Sequence, residues 1–292
     1  MHKELITNIF SDFKDFFITK KYAQFIKYRI IENMSVPMKV YRTGSKSYIA
    51  ISSNIEYLEI NEDSSKIYVL FMIGHELAHL VNRHLEYNDK NNFDSQTLEM
   101  WADYFGTKIS MSILQNGTRF NKMLTSNFKN ANSGLEIIFD ALVMLNNNLY
   151  KNTNSSSKYL NSNERVSTVI AAIAAFLTRK EMIVNLKLSQ KEHADIGCGW
   201  GMAVNRKFYE LGMFDKLFDT SIKNNEVDIS LITKNVLIIH NQLKQKHWQI
   251  IKGLDFYHSY ILDSSYEVAK PNQLMIDKFN KTLDDMGWDI QL

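Results

Sequence analysis

Between Ile67 and Leu80 the chain carries a long apolar run (Ile67, Leu70, Phe71, Ile73, Leu77 and Leu80), broken by His75, Glu76 and His79. At about 100° per residue, histidines four apart fall within roughly 40° of each other, one turn apart, on one face of a helix. The breadth of the apolar surface calls for burial of that helix. Burying two imidazoles and a carboxylate without partners is costly, and a metal ion resolves the cost by taking their lone pairs. His-Glu-x-x-His on a helix is the pattern in which two imidazoles bind zinc and the glutamate handles protons. The bare alternative is a helical His-Glu-His that binds nothing.

Twenty residues beyond His79, the stretch Leu98-Glu99-Met100-Trp101-Ala102-Asp103-Tyr104-Phe105 also reads as helix, with Glu99 and Asp103 four apart on one face. A catalytic zinc takes three protein ligands and keeps one position for water. His75, His79 and Glu99 supply three. Asp103 is then placed to accept a hydrogen bond from a ligand imidazole, fixing its tautomer and raising its basicity. A structural zinc more often uses cysteine, and the chain has one cysteine, Cys198, so this donor set favours a catalytic site.

His-Glu-Leu-Ala-His followed by Glu-x-x-Ala-Asp resembles the gluzincin zinc metallopeptidases. The gap from His79 to Glu99 and the Glu-x-x-x-Asp pairing are similar to thermolysin-type enzymes. HELAHLVNRH with EMWAD resembles the prenyl-protein and heat-shock membrane zinc peptidases, and also the soluble phage-exclusion metallopeptidases of bacteria. The resemblance covers about residues 35 to 115. It implies a zinc (Zn2+)-dependent endopeptidase acting on a protein or peptide substrate. His75, His79 and Glu99 would bind metal, Asp103 would support a ligand, and Glu76 would be general base toward a zinc-activated water. By the same resemblance a role in bacterial stress or phage defence is expected. The membrane peptidases carry spanning helices, whereas the most apolar stretch here, Val166 to Leu177, is twelve residues long. A bilayer needs about twenty, so no membrane span is expected and membrane-bound substrates do not carry over.

Composition narrows the alternatives. With 45 % apolar residues the 292-residue chain can build a proper core. Its net charge of +2 gives no electrostatic case for nucleic acid as the main partner. A single cysteine excludes an internal disulfide framework and suits a reducing cytosol, so a cytoplasmic location is expected. Met1 to Lys21 has its phenylalanines interrupted by Asp12, Lys14 and Asp15 and reads as an amphipathic helix, not a signal peptide.

The expected fold class is α+β: a mostly α-helical, zincin-like metallopeptidase with a small antiparallel sheet preceding the HExxH helix. Residues 3 to 32 read as one or two helices, and three strands follow at 36–41, 48–52 and 55–60. One of them could hold an extended substrate by backbone hydrogen bonds. The HExxH helix should run to about Leu85 and the next from a cap at Asp94 or Ser95 to Asn116-Gly117. A further helix is expected at 135–149. Residues 1–150 form the expected catalytic region, 151–163 a polar linker or loop, and 164–292 a helical C-terminal region with helices near 164–188, 205–218, 229–252 and 272–286. Gly197 to Gly201 reads as a tight turn without phosphate-binding context.

A second electrophile often assists the oxyanion. The candidates are Tyr159, Arg165, His193, His240, His247 and His258. Arg165 is placed with the catalytic residues: the segment 159–165 is faintly similar to one with His-Pro and a downstream Arg in related peptidases, although the His-Pro is missing. His84, five residues past His79 and about 140° around an ideal helix, should point away from the metal. Cys198 has no local signature of a thiol nucleophile. The competing function is a non-catalytic regulatory or binding protein on a metallopeptidase fold, with structural zinc.

Overall fold

The computed structural model of the chain describes residues 2–17, 23–57, 59–88, 91–125, 131–153, 156–177, 206–222 and 229–247. The elements that place the site are α1 (His2–Asp15), β1 (Tyr28–Ile31), β2 (Met38–Tyr41), β3 (Tyr48–Ser52), α2 (Asp63–Asn82), α3 (Asn92–Asn116), α4 (Ala131–Leu145), α5 (Ser162–Leu177) and α6 (Ile229–His247). The molecule is mostly helical, with one small sheet.

Helix α2 is the hub, because it is apolar nearly all round and so has to be covered on every side. Val69, Leu70, Ile73, Leu77, Ala78 and Val81 are all buried. Helices α3 and α4 and strands β2 and β3 pack around it. Its first turn is pinned by Asp63, whose carboxylate accepts from the Thr125 N–H at 3.0 Å and from Lys66 Nζ at 2.8 Å. α3 begins with a reciprocal cap: Asn91 accepts from the Asp94 N–H at 2.8 Å, and Asp94 accepts in return from the Asn91 N–H. It ends at Asn116 with Gly117 as its cap, where the sequence put it.

The sheet differs from expectation in two ways. Its order is β1-β3-β2, with β1 parallel and β2 antiparallel to β3, so it is mixed rather than antiparallel. Among the described residues no strand forms at 55–60; Ser53–Tyr57 is a 3-10 turn. In its place the third strand comes from 28–31, inside the stretch read as N-terminal helix. Of that stretch, α1 is helical and buries Leu5, Ile9, Phe10 and Phe13 on one face. Tyr-Arg-Ile-Ile satisfies either period locally, and pairing with the fully buried β3 decides for strand.

Residues 151–163 hold a turn of helix (Lys151–Thr153) and then the cap of α5, where the Asn161 side chain accepts from the Glu164 N–H at 2.9 Å. α5 packs on α3. Of the expected C-terminal elements, 206–210, Phe214–Leu217 and α6 are helical. The Gly197–Gly201 turn, Cys198, His193, His258, the end of the helix near 188 and the helix at 272–286 lie outside the described residues. Among the described residues no helix is long and apolar enough to cross a membrane.

Candidate active site

Two helices in close contact assemble the site. His75 and His79 project from α2, one turn apart, with their Nε2 atoms 3.1 Å from each other. Glu99 on α3 faces both, its carboxylate oxygens 3.3 Å from His75 Nε2 and 3.6 Å from His79 Nε2. The approach of the helices depends on two glycines. A Cβ on Gly74 would lie 2.5 Å from the Gly106 carbonyl oxygen, and one on Gly106 would lie 2.6 Å from His75 Cα. Ser110 locks the same crossing, its hydroxyl donating to the Leu70 carbonyl at 3.1 Å. The pattern Glu99, Asp103, Gly106, Ser110 is thus one face of α3 laid against Leu70, Gly74 and His75.

Asp103 sits behind His75 with its side chain fully buried. It accepts from His75 Nδ1 at 2.8 Å, from the Tyr150 hydroxyl at 3.1 Å, and from Arg165 Nε at 2.7 Å and Nη2 at 2.9 Å. Burial pushes the Asp103 carboxyl up, but the Arg165 guanidinium and the His75 hydrogen bond outweigh it and hold it below the usual range. Burial likewise opposes charge on His75, yet Asp103 and Glu99 push it up to about 10. Glu99, raised by burial, is held well below the carboxylate range by His79 and His75. These are the electrostatics of a site built to hold positive charge.

His84 departs from the sequence expectation. α2 stops at Asn82, and Arg83 takes a left-handed conformation with φ of 58°. That reversal turns the next residue back, so the ideal-helix angle does not apply. The His84 ring is 1 % exposed, with its Nδ1 2.9 Å from His79 Nδ1. Its Nε2 is 3.1 Å from Nε2 of His240 on α6.

The donors line a cavity of about 410 Å³, within the usual range of ligand sites. Glu76, Tyr159, Arg165 and residues 36–40 line it too. β2 is one of the two edge strands of the sheet among the described residues, and the Val40 N–H points away from β3 to donate to the Glu76 carboxylate at 2.8 Å. Arg165, placed by sequence beside the reacting group, is 5 % exposed and has its Nε and Nη2 on Asp103. Tyr159 lies over it, with its ring centroid 5.1 Å from the guanidinium carbon. The nearby Glu99 charge, together with burial, pushes the Tyr159 hydroxyl up to about 12. His247 belongs to the last turn of α6.

Sequence reasoning brought together His75, His79, Glu99 and Asp103. It missed Gly74, Gly106, Tyr150 and the contacts of His84 and His240. The glycines had a readable signal, since glycine inside a helix costs about 1 kcal/mol against alanine and so calls for a packing reason. The other three meet the site only through the tertiary fold.

The donor set fits a divalent ion. Two imidazole nitrogens and a carboxylate oxygen lie within 4.8 Å of one another, the only such cluster of three or more among the described residues. His75 and His79 each have Nδ1 engaged elsewhere, leaving Nε2 toward the common point. No curated protein and no solved structure matches the chain. A family model described as Peptidase U49 matches residues 31–184, more than half of the chain, and spans α2, α3, Tyr159 and Arg165. The chain therefore belongs to the Peptidase U49 family, a peptidase family whose matched segment contains every residue of the His75, His79, Glu99 and Asp103 cluster.

Proposed function

We propose that the protein is a zinc-dependent endopeptidase, with His75, His79 and Glu99 holding the metal and Glu76 as general base. The observation that carries this reading is the convergence of those three donors on the wall of a cavity that Glu76 and the edge strand β2 also line. A bound zinc supplies Lewis acidity and lowers the pKa of a water toward neutrality.

The chain's own residues do the rest. Glu76 takes a proton from the attacking water as the new C–O bond forms. It returns that proton to the amide nitrogen as the C–N bond breaks. The outer edge of β2 offers backbone groups to an extended substrate. The Val40 N–H holds the Glu76 carboxylate in the cavity until substrate arrives. Tyr159 keeps its phenolic proton through the neutral range and donates to the oxyanion. Arg165 acts through Asp103, neutralising it and so fixing the His75 ring.

A non-catalytic binder with structural zinc would wall the donors off; their exposure to the cavity favours hydrolysis. The cytoplasmic setting rests on the single cysteine, and a role in stress or phage defence on the resemblance of HELAHLVNRH and EMWAD. The test is mapping of new protein termini in cells expressing the wild type or Glu76→Gln. New termini dependent on the wild type and lost in Glu76→Gln are expected. Identical termini from both would refute the assignment.

A further inference from the structure

Building on the zinc reading above, we propose that His84 and His240 position the metal ligand His79. Helix α6, beyond the segment that the family model matches, thereby becomes part of the metal centre.

Three imidazoles form a continuous hydrogen-bonded chain. His79 Nδ1 is 2.9 Å from His84 Nδ1, and His84 Nε2 is 3.1 Å from His240 Nε2. The His79 and His84 rings meet edge to face at 5.0 Å, and the His84 and His240 rings stack at 5.4 Å. A histidine that gives its Nε2 lone pair to a metal carries its proton on Nδ1. His79 Nδ1 is then the donor and His84 Nδ1 the acceptor. His84 in turn carries its proton on Nε2 and donates to His240 Nε2. One set of tautomers satisfies both of these contacts.

The chain is held from both ends. At one, Arg83 pairs with Glu86, and Glu86 accepts from the Gly44 N–H at 2.9 Å, fixing the turn that presents His84. At the other, the Asn235 amide of α6 donates to Asp94 at 2.9 Å and Thr97 at 3.0 Å on α3, the helix that carries Glu99. The two metal imidazoles are therefore supported differently. His75 leans on a carboxylate, and His79 on an imidazole that α6 orients. Partners of this kind set ring orientation and ligand basicity, and losing one typically costs 10–100-fold in metal affinity.

The test uses the full chain and zinc alone, with affinity read by competition against a chromophoric chelator. Imidazole 15N shifts of the zinc-loaded protein report the tautomers. His84→Ala should weaken zinc binding by about 10–100-fold. His84→Asn, whose amide oxygen can accept from His79, should recover most of it. His240→Phe keeps a stacking ring but removes the acceptor, and should weaken binding less while changing the His84 tautomer signature. If His84→Ala does not fold in chelator, the other two variants carry the same comparison. Zinc affinity unchanged in all three variants overturns the inference while leaving the zinc reading intact. Two zinc ions per chain also overturns it, because His84 and His240 would then be ligands themselves. Failure of the wild type to bind zinc overturns the underlying reading, and this inference with it.

Discussion

Gly106→Ala is the most demanding test of how the site is built. The new Cβ would lie 2.6 Å from His75 Cα and 2.7 Å from the Gly74 carbonyl carbon and oxygen. Non-bonded carbons settle at about 3.5–4.0 Å, so α2 and α3 have to part by roughly 1 Å. Backbone atoms form the obstacle, so no side-chain rotation relieves it. Overpacking of this kind costs about 1–3 kcal/mol, and the gain in helix propensity offsets about 1 kcal/mol of that. The net effect on folding should be a loss of about 2 kcal/mol or less. The effect on metal should be larger. Glu99 rides on α3 and the two histidines on α2, and a workable site needs ligand distances good to about 0.2 Å. A zinc affinity at least tenfold below wild type is expected, alongside a small shift in the urea midpoint measured in chelator. Gly74→Ala should behave alike, and Ser110→Gly should partly rescue it, since the Gly74 Cβ also meets Ser110 Oγ at 2.1 Å. Wild-type zinc affinity in Gly106→Ala would refute the claim that the helix crossing sets the ligand geometry.

Other outcomes follow from the same contacts. Arg165→Ala strands the fully buried Asp103 carboxylate and should destabilise the protein by about 3–5 kcal/mol in denaturant titration; Arg165→Lys, lacking the two-pronged geometry, should restore only part. Tyr159→Phe should lower kcat by about 10²–10³-fold with zinc affinity unchanged, the signature of a donor that matters in the transition state; an unaltered kcat removes Tyr159 from the mechanism. In metal-free protein, His75 is raised from 6.5 to about 10. The folded state then holds that proton more tightly than the unfolded state, so this stabilisation is complete below 6.5 and fades as pH rises through about 10. Urea midpoints measured in chelator should fall across that window, and a flat profile contradicts the pairing. Over the same window apparent zinc affinity should rise, because His75 gives up its proton to bind.

The cluster of His75, His79, Glu99 and Asp103 was legible in the sequence because it is written in helical periods. His75 and His79 share a face by spacing alone, as do Glu99 and Asp103, and the apolar residues around them require burial. The C-terminal end of α3 was legible for the same local reason, in turn chemistry, whereas its cap is Asn91 and not Asp94 or Ser95, because Asp94 serves as the reciprocal partner inside the first turn. What local pattern could not decide was pairing between distant segments. Residues 28–31 became a strand because β3 offered a parallel partner, and 55–60 did not because that edge was taken. Arg165 came to Asp103 because α5 packs on α3 and brings the guanidinium to a buried carboxylate that needs it. His84 reached His79 because a single left-handed residue ended the helix, and α6 brought His240 to it from 156 residues away. Local spacing was enough to name the side chains that could bind a metal. The tertiary structure decided what holds them in place, because those contacts are chosen by competition for burial across the whole chain.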